Sequence, residues 1–552
     1  MLLCEEKENM EISTVKKIEK EALKGSRFDF IRLGAALFFM VAVLSYSFLS
    51  TGSIPNNMFL AIAALFGAYM AMNIGANDVA NNVGPAVGSK ALTMGGAIVI
   101  AAIFEAGGAL IAGGDVVKTI KKGIIDISAF GANTDSFIWA MMAALLAAAV
   151  WLNFATMAKA PVSTTHSIVG GVMGAGVAAA GFGIVAWGTM GKIAASWIIS
   201  PVLGGVIAAI FLFSIKKTMV YKEDKIAAAT KWVPVFVAIM SWAFVTYLTL
   251  KGLKKVWPHI VDILVFLPDT KKPSFLVATI FGLIVAAVVY IIIKKSVANR
   301  AGKIKNTRDG VNALFTVPLI FAAALLSFAH GANDVANAIG PLAAINDAVM
   351  TGGISSKAGI PLWVMAVGAL GIALGLGLYG PKLIRTVGSE ITELDQMRAF
   401  SVAMAASITV IIASQLGLPV SSTHIAVGGI FGVGFLREYL EDGQIKDEIA
   451  TEEVVIVDEK KLLKALNSEL KTLEAKKDKQ QADYERVVEL YKMIDEEEKN
   501  IKKAKKHLKS AQKVEYVKRD AVKKIIAAWV ITVPAAAVLS ALIYFMIRGI
   551  VL

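Results

Sequence analysis

The chain has 552 residues, of which 56% are hydrophobic, and a mean hydropathy of +0.65. Soluble domains stay nearer half apolar and interrupt their apolar runs with charge, so a soluble protein is excluded and an integral membrane protein is expected. A formal net charge of +13 comes from basic residues flanking apolar runs, a topology signal rather than a nucleic-acid footprint, while one cysteine, Cys4, excludes an internal disulfide and five scattered histidines offer no evident metal or cofactor site.

The apolar runs are helix-length and lack period-two alternation, so the expected fold class is an all-α polytopic membrane protein. Residues 1–28 are polar, without a signal-peptide core, and are expected to be a cytoplasmic N-terminal segment. An extra transmembrane helix lies in 29–55, its apolar part at 31–49. A first repeat, 56–217, contains apolar runs at 58–74, 91–112, 137–154 and 184–215 and a short Gly-rich piece at 167–180. A connecting pair of spans at 233–250 and 275–293 sits among basic loops in 218–310. The second repeat comprises 311–436 and a closing helix in 522–552, separated by a Lys- and Glu-rich insertion at 437–521. There Leu463, Leu466, Leu470 and Leu473 recur at helical spacing. A cytoplasmic helical hairpin or short coiled coil is expected, acting as a solvated spacer rather than a regulatory module.

Placing the Lys-rich loops inside puts the N-terminus in the cytoplasm and the C-terminus outside the cell membrane. Counting crossings then starts the two repeats on opposite sides, which makes them inverted-topology repeats. Each carries the same two motifs. Gly75-Ala-Asn-Asp-Val-Ala-Asn81 returns as Gly331-Ala-Asn-Asp-Val-Ala-Asn337, and Pro161-Val-Ser-Thr-Thr-His166 returns as Pro419-Val-Ser-Ser-Thr-His424.

In the first motif, Gly75 and Gly331 are expected to let the backbone leave helical geometry, with Pro85 and Pro341 closing the interruption. Freed carbonyls, the Asp78 and Asp334 carboxylates and the amides of Asn77, Asn81, Asn333 and Asn337 would form an all-oxygen set suited to Na⁺. The alternative is that these side chains merely cap broken helices. The second motif reads as a re-entrant hairpin whose tip presents Ser163, Thr164 and Thr165, or Ser421, Ser422 and Thr423, at a helix N-terminus. Hydroxyls and free N–H groups there can hold an anion, or can simply cap the helix. Asn81 and Asn337 are assigned to the anion as well. Glu105, His166 and His424 are candidate coupling residues, each with a structural alternative as a buried hydrogen-bonding group. Asp115, Lys118, Lys121 and Lys122 read as an ordinary solvated helix end.

At these motifs the chain resembles the inorganic phosphate transporter (PiT) family, whose members carry both motifs in two inverted halves. The likeness also covers Gly88-Ser-Lys-Ala-Leu-Thr93, Phe104-Glu105 and 387–394. It implies symport of phosphate with Na⁺ or H⁺ by alternating access, with no cofactor beyond the coupling ion, no catalysis and no nucleic-acid partner. It leaves open a homodimer, a sulfate permease and a passive anion channel. A membrane hydrolase built on Ser163 or Ser421 with the neighbouring histidine is the rival from another class. One departure is noted: many relatives carry a glutamate before the second Pro-Val-Ser, where the stretch at 400–406 has none.

Overall fold

The computed structural model describes residues 29–551 apart from 53, 132, 159–161, 255, 265–266, 269, 355–358, 391–393 and 512–518. The segment expected at 1–28, Pro161 and part of the 387–394 likeness lie outside the described residues. Among the described residues the structure is helical, and eleven helices are long and apolar enough to cross a membrane. The first is α1, Asp29–Thr51. There follow α2 (Asn57–Asn77), α3 (Val79–Gly88), α4 (Met94–Ala112), α5 (Gly114–Lys122), α6 (Thr134–Met157), α7 (Thr164–Ala180) and α8 (Trp187–Ile215). Next come α9 (Lys225–Gly252), α10 (Trp257–Ile263), α11 (Phe275–Ala301), α12 (Arg308–Leu314), α13 (Thr316–Thr351), α14 (Leu362–Glu390) and α15 (Gln396–Gln415). The series ends with α16 (Ser422–Ala475), α17 (Gln481–Ala511) and α18 (Arg519–Val551). The chain-order reading leaves α14 unnamed.

Helix starts follow the sequence closely, because lipid offers the first N–H groups no substitute for a side-chain cap. Thr93, Asn133, Asp224, Ser274 and Asp395 each accept a hydrogen bond from the backbone N–H three residues on.

The chain forms two units, one holding the described residues to Val433 and from Arg519 on, the other 434–518. In the larger unit the two halves pack by exchange. The glycine face of α7 seats on α18, Gly170 against Val533 and Gly174 against Ala537, while α16 seats on α8, Gly428 against Pro201 and Gly432 against Gly205. Likewise α2 crosses α14, where Gly75 meets Ile372, and α13 crosses α4, where Gly331 meets Glu105. Small residues let these backbones touch, the usual basis of helix association in lipid. In the smaller unit the end of α16 and α17 fold back on each other around Leu466, Leu470 and Leu490, with Arg486 donating to both oxygens of Glu469 at 2.9 and 3.3 Å.

Two expectations change. The Gly-Ala-Asn-Asp segments are not unwound: α13 runs unbroken through Gly331 and Pro341, and Asp78, between α2 and α3, keeps right-handed helical angles. The glycines serve contact rather than bending, since a Cβ on Gly75 or Gly331 would strike the carbonyl of Ile372 or Glu105. The expected discontinuity is therefore absent from the second copy and confined in the first to the single turn at Asp78. Secondly, Lys121 is not solvated; it is buried and ion-paired with Asp347 on α13, and Lys251 of α9 pairs with Asp115 at 2.5 Å. Glu105 on α4 and Ile372 on α14 occupy matching positions, each under the motif glycine of the opposite half.

Candidate functional site

The α6–α7 connection and the start of α16 bring both hydroxyl motifs to buried positions beside both Asn-Asp motifs. Ser163, Thr164, Thr165, Ser421, Ser422 and Thr423 are all buried, as are Asn77, Asp78, Asn81, Asn333, Asp334 and Asn337. Burial of so many polar groups in an apolar bundle demands mutual hydrogen bonds.

Asp78 is the hub. Its two oxygens accept from one hydroxyl of each half, Thr164 at 2.6 Å and Thr423 at 3.2 Å. Asn81 donates to Thr423 at 2.9 Å, and Asn337 donates to Thr164 and Thr165, both at 3.1 Å. Asp334 accepts from Ser422 at 3.2 Å. The residues of one half thus bind those of the other, across more than 170 positions of chain in each of the Asn337 bonds.

The remaining motif residues divide by role. Ser163 and Ser421 accept from the N–H groups of His166 and His424, at 3.1 and 3.2 Å, so these two hydroxyls are helix caps. Asn77 donates to Thr156 at 2.9 Å and Asn333 to Ser414 at 3.0 Å, bonds that tie each motif to the helix preceding its hairpin. His166 and His424 meet edge to face at 4.5 Å; His166 lies tilted against Trp197 at 3.8 Å and His424 stacks on Trp529 at 3.6 Å. They form an aromatic ladder where α7 and α16 begin, and α16 is not the short re-entrant helix expected, since it runs on to Ala475.

One network escapes the motif analysis. His330, one residue before Gly331, places Nδ1 2.7 Å from Glu105 Oε2 and Nε2 3.0 Å from Asp334 Oδ2, while Asn82 donates to the other Glu105 oxygen at 2.8 Å. The matching positions in the other crossing are Ile74, Ile372 and Ala338, so one crossing is polar and its counterpart apolar. The only signal in the sequence was a histidine inside an apolar run next to the motif.

Several buried oxygens have no hydrogen-bond partner among the described residues: the side-chain carbonyls of Asn77, Asn81, Asn82 and Asn337, and one oxygen of Asp334. Ligand atoms of Asp78, His330 and Asp334 all lie within 4.8 Å of one another. Unpaired acceptors beside two carboxylates suit a hard cation such as Na⁺, and a proton on a carboxylate would serve equally.

Residues 74–540 match the model of a phosphate transporter family. A Helicobacter pylori protein provisionally named a phosphate permease is 48% identical over 540 residues, covering 97% of this chain and 98% of that one. A Pyrococcus abyssi protein of the same provisional name is 39% identical over 378 residues, 68% of this chain and 89% of that one. Among solved structures, one titled the sodium-dependent phosphate transporter is similar, with a TM-score of 0.69 and 30% identity, covering 89% of this chain and 99% of that one.

Proposed function

The chain belongs to the phosphate transporter family, so it is a multi-pass membrane transporter and not an enzyme, and from that premise we propose that it imports inorganic phosphate through the cell membrane by symport with Na⁺ or H⁺, using alternating access.

The observation that carries this reading is that the hydroxyls suited to an anion are engaged by the carboxylates. A hydroxyl has one proton to give. Thr164 and Thr423 give theirs to Asp78, and Ser422 gives its own to Asp334. A cation on Asp78 and Asp334, or a proton, satisfies the carboxylates and releases these donors. The same charge removes the repulsion that two ionised carboxylates exert on an oxyanion. Released hydroxyls, the amides of Asn81 and Asn337 and the start of α7 and α16 can then hold phosphate. Cation first and anion second is thus built into one hydrogen-bond inventory. The likeness to a sodium-dependent phosphate transporter favours Na⁺ as the coupling ion.

The reciprocal packing of α7 on α18 and α16 on α8 supports a pair of matching halves as the frame that rocks about this centre; the basic loops alone place the N-terminus in the cytoplasm. The test is uptake of labelled phosphate into proteoliposomes under imposed Na⁺ or H⁺ gradients, with sulfate and arsenate as competitors. Uptake that follows one cation gradient and is displaced by arsenate is expected. Uptake indifferent to both gradients would point to a passive channel, and displacement by sulfate alone to a sulfate permease.

A further inference from the structure

The residues that lead into the second hydroxyl tip, Gly417-Leu418-Pro419-Val420, present four successive carbonyls, and each is held by a side chain from a different helix. Thr119 of α5 donates to Gly417 at 2.7 Å and Asn333 of α13 to Leu418 at 3.2 Å. The Trp197 indole of α8 donates to Pro419 at 3.2 Å, and Thr165 of α7 to Val420 at 2.9 Å. Asn333 also accepts from the Val420 N–H at 3.3 Å. Since α5, α7 and α8 belong to the first half, the second tip is held mainly by the opposite half.

Buried carbonyls require donors, and neighbouring turns of chain could supply them. Donors from four separate helices do more, because they fix the connection in three dimensions. The support under Thr119 is itself anchored: Ile120 fills the space a Cβ on Gly340 of α13 would need, and Lys121 is ion-paired with Asp347. The glycine seating of α16 on α8 begins only at Ile425, over Gly204, about one turn beyond Ser421. Helix ends fray when nothing holds them, and the first turn of α16 is the one that brings Ser422 to Asp334 and Thr423 to Asp78. Matching hydroxyls also part company here. Thr423 gives its proton to Asp78, whereas Thr165 gives its own to the connection.

We propose that Thr119 and Trp197 are positioning residues for phosphate: with Thr165 and Asn333 they pin residues 417–420, and so set where the Ser422 and Thr423 hydroxyls stand. Both act through the connection. A small displacement of such hydroxyls weakens every bond they make to a bound anion. The inference takes phosphate as solute from the transport reading, and one arm of its test is independent of phosphate.

Thr119→Val and Trp197→Phe each remove a donor while keeping the bulk of the side chain, and the phenyl ring can still lie against His166. Thr119→Ser keeps the hydroxyl. In the full-length variants, amide hydrogen exchange is followed over 417–425, with α11 as the internal reference. Phosphate uptake is measured in proteoliposomes under the cation gradient that drives the native chain. Exchange over 417–425 is expected to be at least severalfold faster in Thr119→Val and Trp197→Phe, with native rates over α11. The KM for phosphate should rise at least severalfold at unchanged kcat, the mark of lost binding rather than lost fold. Thr119→Ser should be native in both measurements. Native exchange in both donor-less variants overturns the pinning, whatever the uptake. Faster exchange with a native KM, or a fall in kcat alone, overturns the positioning role and leaves a purely structural one. Faster exchange in a chain whose native form takes up no phosphate would overturn the transport reading and leave the pinning standing.

Discussion

Asp78 accepts one hydroxyl from each half, so its charge state is felt at the starts of α7 and α16 at once. Asp78→Asn keeps the size of the side chain and one acceptor oxygen but removes the charge that a cation would answer. We expect it, and Asp334→Asn, to abolish gradient-driven uptake while the thermal melt stays near that of the native chain; native uptake rates in both would refute the assignment. Neighbouring hydroxyls should separate cleanly. Ser163→Ala loses the cap on the His166 N–H and should cost about 1 kcal/mol of stability, read as a lower melting temperature. Thr164→Val removes a donor to Asp78 and the acceptor for Asn337, and should raise the KM for phosphate instead. The sequence marked all three hydroxyls of each tip as one anion site. It also offered capping, but could not say which hydroxyl caps, because that depends on the single residue at which the helix begins. His330 was beyond reach for another reason: its partner Glu105 is 225 positions away, and nothing local announces the pair.

At the scale of elements, most spans were legible from apolar length, α14 excepted, while the behaviour of the motif glycines was not. A glycine inside a polar stretch reads equally as a break or as a contact, and only the crossing helix decides; here Ile372 and Glu105 fill the space a Cβ would need, so both glycines are contacts inside helices. The two crossings are geometrically alike and chemically different, with Glu105 and His330 in one and Ile372 and Ile74 in the other. Glu105→Ile should therefore cost about 1–3 kcal/mol by stranding the His330 ring and the Asn82 amide. Adding His330→Ile should recover part of that loss, since the opposite crossing already tolerates an apolar pair. Thermal unfolding of the two single variants and the double closes the cycle, and absence of any recovery would show that the crossings are not interchangeable.

For the whole molecule, unit 434–518 has its own small core at Leu466, Leu470 and Leu490. The leucine spacing announced that much, though not which charges would pair. A spacer role predicts that excising 440–518 leaves the KM for phosphate unchanged in proteoliposomes. The hairpin's own stability should depend on acidity. The hydrogen bond from Arg486 holds Glu469 below the usual carboxylate range, and that from Lys476 does the same for Asp483. Groups whose folded pKa is depressed add stability above their unfolded value and lose it as pH falls through the folded one. Protection from hydrogen exchange over 466–494 should hold at neutral pH and fall below about pH 4.

The seating of Gly170 and Gly174 on Val533 and Ala537 also has a temporal side. About 360 residues of chain separate these surfaces, so at ribosomal speeds of about 5–20 residues per second the early hairpin waits roughly 20–70 s for the helix that covers it. Through that interval its hydroxyl tip stands in a half-built bundle, and the nascent protein depends on translocon or insertase shelter. Truncations that spare every motif but remove the final helix should be degraded during biogenesis rather than emerge as slow carriers.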